Sequence, residues 1–305
     1  MNPDHLTNPF IVYWDIDPVT FDDDIALRIC DELVEARIFV LNVRDISPTF
    51  NTGTVTVLKR LRNEQIKINV TARSTILEEP TINIMKDLGI VKLYIESDSL
   101  EDCQLSLPAI MNAFDQGIST GVSFYISGSN IRDLPAVIST CIENNIKDLK
   151  FPIHRADRGN IFYPGPETTL WLSKELKKLP LELLKLTIHD PFMWELFHGK
   201  DNPNEEGCNG AKTMIYISGD FDVTPCPILP VPIGNLRHVA MKDIFSSEKR
   251  RGVRTELSHP PQECSSCSVI STCKGGCRGR AHVFFKSFDK RDPACLLDLQ
   301  SKENH

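Results

Sequence analysis

The sequence predicts an α/β fold, a full or partial (β/α) barrel followed by a small cysteine-rich domain, and three observations carry that expectation. Seven short apolar, β-branched runs alternate with helix-length segments through the first two hundred residues. Of ten cysteines, seven fall between positions 208 and 295. The 305 residues leave room for one large domain and a smaller one, on a prior of about 100 to 200 residues per domain. The expected division is a barrel over 1–200 and a cysteine domain over 201–305.

The strand-like runs lie at 10–16, 37–43, 66–71, 91–96, 121–126, 147–153 and 183–189. The clearest helix spans 22–36, where Ile25 and Ala26, Ile29 and Cys30, Leu33 and Val34 recur at helical spacing behind Asp22, Asp23 and Asp24. A second spans 131–144, with Leu134, Val137, Ile138, Cys141 and Ile142 on one face. Strict alternation implies parallel pairing through right-handed crossovers, hence a barrel or part of one rather than a sandwich.

In such a barrel, chemistry sits at the C-terminal ends of the strands. Those ends carry Asp15 and Asp17, Arg44 and Asp45, Ser127 to Asn130, His154 and Arg155, and His189 and Asp190. A polar loop residue more often caps the next helix or faces solvent than acts directly. For His189 and Asp190, just before the cysteine domain, a role at the domain interface competes with a functional one.

A net charge of −7 argues against general affinity for nucleic acid or anionic membrane. The one basic cluster, Lys249, Arg250, Arg251 and Arg254, is read as a solvated connecting segment. There is no signal-like N-terminus and no run approaching the roughly 18 apolar residues of a membrane span, so a cytoplasmic protein is expected. In that compartment ten cysteines are natural as metal ligands and unusual as disulfides. Cys30, Cys103 and Cys141, isolated from one another in apolar or helical patterns, are expected to be packing residues.

The other seven are spaced C-x17-C, then 37 residues, then C-x2-C-x5-C-x3-C, then x17 and a last cysteine. C-x2-C turns two thiolates toward one metal, and C-x3-C puts two side chains one helical turn apart. Gly275, Gly276 and Gly279 let the backbone approach a bulky cluster closely. Iron–sulfur is favoured over zinc, which stays the alternative, with His259 and His282 flanking the block. No nucleophile, base pair or second cofactor motif rises above background, so a self-sufficient enzyme is not expected.

The run ECSSCSVISTCKGGCRGRAHV and the segment DVTPCP at 222–227 resemble the SPASM domain, the auxiliary iron–sulfur domain of radical S-adenosylmethionine (SAM) enzymes that modify peptides and proteins. Phe221 stands where that family usually has a glycine before its second cysteine. The resemblance implies two [4Fe–4S] clusters, a distal one on Cys264, Cys267, Cys273 and Cys295 and a proximal one on Cys208, Cys226 and Cys277. Positions 209–225 hold no fourth cysteine, which leaves an open iron or an oxygen ligand such as Asp222. The first domain is similar to a radical SAM partial barrel, but the loop after its first strand, DIDPVTFDDD, has no cysteine where the family carries C-x3-C-x2-C. The loop after the second strand reads RDISP rather than glycine-rich. The resemblance therefore implies a degenerate radical SAM-like barrel that is unable to cleave SAM and for which SAM is not an expected cofactor, residual SAM binding being left open.

TIHDPF at 187–192 and GCNGAKTM at 207–214 extend the resemblance, along nearly the whole chain, to the SPASM proteins of GeoRSP systems. It implies a complete radical SAM enzyme, a small peptide-binding (PqqD-like) protein or a precursor peptide as partners in a RiPP-like peptide-modification pathway. The alternative function is a zinc-stabilised adaptor without a redox role.

Overall fold

In a computed structural model, residues 8–47, 50–76, 78–152, 162–198 and 207–295 are described. The chain alternates without a break: β1 (Ile11–Ile16), α1 (Asp23–Glu35), β2 (Val40–Asp45), α2 (Thr52–Leu61), β3 (Lys67–Arg73), α3 (Glu79–Asp87), β4 (Lys92–Ser97), α4 (Leu100–Asp115), β5 (Thr120–Phe124), α5 (Leu134–Glu143), β6 (Asp148–Phe151), α6 (Pro166–Leu176), β7 (Lys185–Ile188) and α7 (Pro191–His198). All seven expected strands form, and neighbours pair in parallel from β1 to β7.

Their central residues are fully buried because crossover helices cover the sheet. Val12, Leu41, Val70, Leu93, Val122 and Leu149 lose all solvent contact. Helix α1 buries Ala26, Ile29, Cys30 and Leu33, and Asp22 caps it by accepting from the Ile25 amide at 3.1 Å.

The second region continues as β8 (Met214–Ile217), β9 (Asp222–Thr224), β10 (Gly234–Asn235), α8 (Met241–Ser246), α9 (Glu248–Ser258), α10 (Ile270–Cys273) and α11 (Arg278–Phe285). Its first strand joins the barrel sheet: β8 pairs in parallel with β1, and β9 and β10 follow antiparallel. The described strands form one ten-stranded sheet, β10-β9-β8-β1-β2-β3-β4-β5-β6-β7, a mixed α/β fold with an open barrel. The boundary expected near residue 200 falls outside the described residues. Among the described residues, no helix is long and apolar enough to cross a membrane.

The β8–β9 hairpin closes although Phe221 holds the position where glycine was expected. Its φ is +65°, a left-handed conformation costing a side chain about 1–2 kcal/mol. The ring is buried edge-on to Trp14 and under the Arg237 guanidinium, and burying a phenylalanine gives back about 1.5–3 kcal/mol. The same hairpin receives the loop after β1. The Thr20 hydroxyl donates to the Gly219 carbonyl at 2.8 Å, and a Cβ at Gly219 would come within 2.6 Å of the Asp17 Cβ.

Candidate metal centre

The seven late cysteines occupy short loops rather than long elements, so other side chains must hold those loops in place. Cys208 precedes the bridge between Gly210 and Met214. Arg254 donates to its carbonyl at 2.8 Å and to that of Gly210 at 3.4 Å, and Arg250 donates to the Ala211 carbonyl at 2.8 Å. This corrects the expectation of a solvated basic segment: Arg250 and Arg254 are only 3% and 6% exposed and clamp the first thiol loop. Each carbonyl taken from water is thereby matched by a charged donor.

Cys226 follows β9, and its carbonyl accepts from the Thr224 hydroxyl at 2.9 Å. Burial pushes its thiol up to about 12, with the neighbouring Cys208 raising it further, while the Ile228 and Leu229 amides act in the opposite direction by donating to the sulfur. Cys277 caps α11, its sulfur accepting from the Arg280 amide at 3.4 Å. Burial raises this thiol well above its ordinary range, Arg280 opposes the rise, and Cys226 adds to it. Cys208, Cys226 and Cys277 line one cavity together.

Of the remaining four, Cys273 lines that same cavity. Burial lifts the Cys264 thiol to about 11, and Cys273, Cys295 and Cys267 each raise it further. Cys273 is raised by burial too, against the amides of Gly275 and Gly276, which donate to its sulfur. Both glycines have positive φ, +89° and +68°, which aims successive amides into one concavity. Arg278 stands between the two sets: burial lowers its pKa while Cys208 and Cys264 act to raise it, and its guanidinium donates to the His259 and Phe288 carbonyls.

Among the described residues, no three His, Cys, Asp or Glu side chains sit close enough to share a single metal ion. The donor set nevertheless fits a cluster. Thiols made costly to ionise by burial release their protons to a metal that replaces the positive charge. Amide donors to the sulfurs of Cys226, Cys273 and Cys277 are the hydrogen bonds that tune cluster thiolates. Neither flanking histidine is held toward the thiols by a described contact: His259 Nδ1 lies 2.8 Å from the Thr255 carbonyl, and His282 stacks on Phe288. Asp222, considered as an oxygen ligand, accepts from Asn235 at 2.9 Å and does not line the cavity.

A buried ion triad locks these loops onto the barrel. Arg280, 0% exposed, grips both oxygens of Asp292 at 2.7 and 2.8 Å and pairs with Asp190. Asp190 also accepts from the Phe192 and Met193 amides, starting α7. Asp292 accepts from the Cys277 amide at 2.6 Å. The interface role weighed for His189 and Asp190 is thus taken by Asp190, one carboxylate away from a thiol loop. Arg280 and Asp292 carried no readable signal in sequence, because only the fold makes them partners.

At the barrel mouth, Arg44 holds Glu96 in a bidentate pair and lies 3.5 Å from Asp15, which accepts from Tyr216 at 2.9 Å. Asp45 organises its own loop, accepting from Ser47, Asn51 and Thr54. Asp17 accepts from the Val19 amide, and Asn130 ties Ser127 to the Asp98 and Tyr125 carbonyls. His189 lines the cavity edge-on to Tyr13. His154 and Arg155 lie outside the described residues. Cys103 and Cys141, isolated in sequence, share a hydrogen bond between α4 and α5 in the barrel core.

Residues 208–268 match the family model of SPASM, an iron–sulfur cluster-binding domain. The chain carries a SPASM domain. The Fe-coproporphyrin III synthase of Methanosarcina barkeri is 20% identical over 294 residues, 82% of this chain and 73% of that protein. The AdoMet-dependent heme synthase of the same organism is 29% identical over 94 residues, 30% of this chain and about a quarter (26%) of that protein. Among solved structures, Streptococcus suis SuiB bound to precursor peptide SuiA matches with a TM-score of 0.72 and 14% identity over 95% of this chain and 76% of that one. Native anSMEcpe with bound AdoMet and Cp18Cys peptide matches with a TM-score of 0.67 and 13% identity over 96% of each chain. The barrel and the SPASM domain thus share one fold with SuiB and anSMEcpe.

Proposed function

We propose that this chain is a two-cluster SPASM protein that serves a complete radical SAM enzyme in a peptide-modification pathway and does not itself cleave SAM. The observation that carries the reading is how the thiols group: Cys208, Cys226 and Cys277 line one cavity with Cys273; Cys273, Cys295 and Cys267 in turn act on Cys264; and the loop after β1 holds no thiol. The first three would hold a proximal [4Fe–4S] cluster and the other four a distal one. Such clusters supply one-electron transfer over potentials of about −700 to +450 mV, or brace the fold. The chain's own residues set the environment: the amides of Ile228, Leu229, Gly275, Gly276 and Arg280 donate to sulfur, and buried arginines hold the loops.

The loop after β1 supports the partner role. It is short, packs against Gly219, and offers carboxylates where a SAM-binding cluster needs three thiolates. The GeoRSP setting fits this picture, with a co-encoded radical enzyme, a PqqD-like protein and a precursor peptide in the cytoplasm.

Anaerobic purification followed by iron, sulfide and zinc assays tests the cofactor. The expected result is a brown protein with about two clusters per chain; a colourless protein holding stoichiometric zinc would instead make it a structural adaptor. Incubation with SAM and a reductant should release neither methionine nor 5′-deoxyadenosine. Native mass measurement with the co-encoded radical enzyme should reveal a complex, and failure to form one would remove the partner role.

A further inference from the structure

Two loops that carry thiols of different sets converge on one side chain, Asp292, which is only 1% exposed. Its carboxylate is shared oxygen by oxygen. Oδ2 accepts from the Cys277 amide at 2.6 Å, and Oδ1 accepts from the amide of Ala294, the residue before Cys295, at 3.0 Å. The main-chain carbonyl of Asp292 accepts from the Cys295 amide at 2.9 Å. Arg280 closes the arrangement, with Nε donating to Oδ1 at 2.7 Å and Nη2 to Oδ2 at 2.8 Å. Each carboxylate oxygen therefore holds one thiol loop and is itself held by one guanidinium nitrogen.

An amide side chain could not do the same, since only one of its two terminal atoms accepts a hydrogen bond. The backbone is shaped for the close approach. Gly276 has a φ of +68°, and a Cβ there would lie 2.7 Å from Asp292 Oδ2 and 3.0 Å from the Phe192 ring. The charge of the carboxylate reaches both sets as well: burial raises the Cys273 and Cys277 thiols, and Asp292 adds to the rise in each. Hydrogen bonds to a buried ion are strong and directional, so a shift of the Cys277 loop moves the carboxylate and strains its hold on the Cys295 loop.

We infer that Asp292 is the positioning residue that couples the two thiol sets, so that ordering one loop around its metal orders the other and a chain fills both sites or neither. The inference rests on the two-cluster reading and adds that the two sites are filled together. Coupling of this kind is reciprocal and typically multiplies affinity about 5- to 150-fold.

The experiment loads the full-length apoprotein anaerobically with iron and sulfide sufficient for half of the sites, and counts clusters per chain by native mass measurement. Sites that fill independently leave half of the chains, or more, with a single cluster. Coupling of about tenfold lowers that fraction to about a quarter, which is the result expected of the natural sequence. Asp292→Asn should return it to half or more at the same total iron, a change that a general loss of stability would not produce. Arg280→Lys, which keeps the buried charge but gives up the two-pronged grip, should raise the fraction too, and it decides the matter if Asp292→Asn yields no soluble protein. Half or more singly loaded chains in the natural sequence, or a fraction unmoved by these substitutions, overturns the coupling and leaves two clusters in place. A protein that never takes more than one cluster, or takes zinc instead, removes the two-cluster reading and the inference together.

Discussion

The barrel and the SPASM domain treat the same side chain in opposite ways. In the barrel, Cys30, Cys103 and Cys141 are 0% exposed among hydrocarbon, and burial pushes Cys30 up to about 12. In the SPASM domain the buried thiols face one another and backbone amides across short loops. The first arrangement needs only packing, since a neutral thiol behaves as a small apolar group. The second is a ligand set in waiting: burial keeps these thiols protonated until a metal takes their protons. Regular structure follows the same divide: seven parallel strands satisfy the barrel backbone, whereas arginine side chains do much of that work around the thiol loops.

Four substitutions sharpen this contrast. The largest effect is expected at Cys273→Ala, which should remove iron and sulfide from the distal site and most soluble protein with them, because ligation and folding are coupled. Elemental analysis of the soluble fraction measures it, and full iron retention would remove Cys273 from the ligand set. Next comes Arg280→Ala. It strands Asp190 and Asp292 without their buried counter-charge, at a cost of about 3–5 kcal/mol in denaturant unfolding. Arg280→Met should cost less if paired with Asp190→Asn and Asp292→Asn.

Arg254→Ala should be milder. It takes a charged donor from the Cys208 and Gly210 carbonyls, worth about 1–3 kcal/mol, and should lower iron content at the proximal site before the distal one, as followed by electron paramagnetic resonance of the reduced protein. The smallest effect belongs to Cys103→Ala. It loses a hydrogen bond to Cys141 and a little packing, about 1 kcal/mol, with iron and sulfide unchanged. An iron loss there would mean that the barrel thiols are not merely packing residues.

The seven barrel strands were legible because each is a short segment rich in apolar and β-branched residues, and the C-x2-C-x5-C-x3-C block because its information is local. The roles of the arginines were not. Arg250 and Arg254 sit in a hydrophilic run that reads as a solvated connecting segment, and nothing nearby announces that it forms a helix whose arginines meet the carbonyls of residues 208–211. Phe221 shows the same limit from the other side. Its departure from glycine was visible, but the buried ring that offsets the strain depends on Trp14 and Arg237, both distant in sequence.

The chain's alternating apolar runs and closely spaced cysteines, by themselves, determined that there would be a parallel α/β sheet and a sulfur-rich domain, because both patterns arise between near neighbours. Tertiary structure alone decided that Asp190 would meet Arg280 across ninety residues, that Asp222 would turn to Asn235, and that cations would line the cavity beside the thiols. Ion pairs and cavities are made by side chains brought together in space, and no local period encodes which ones will meet.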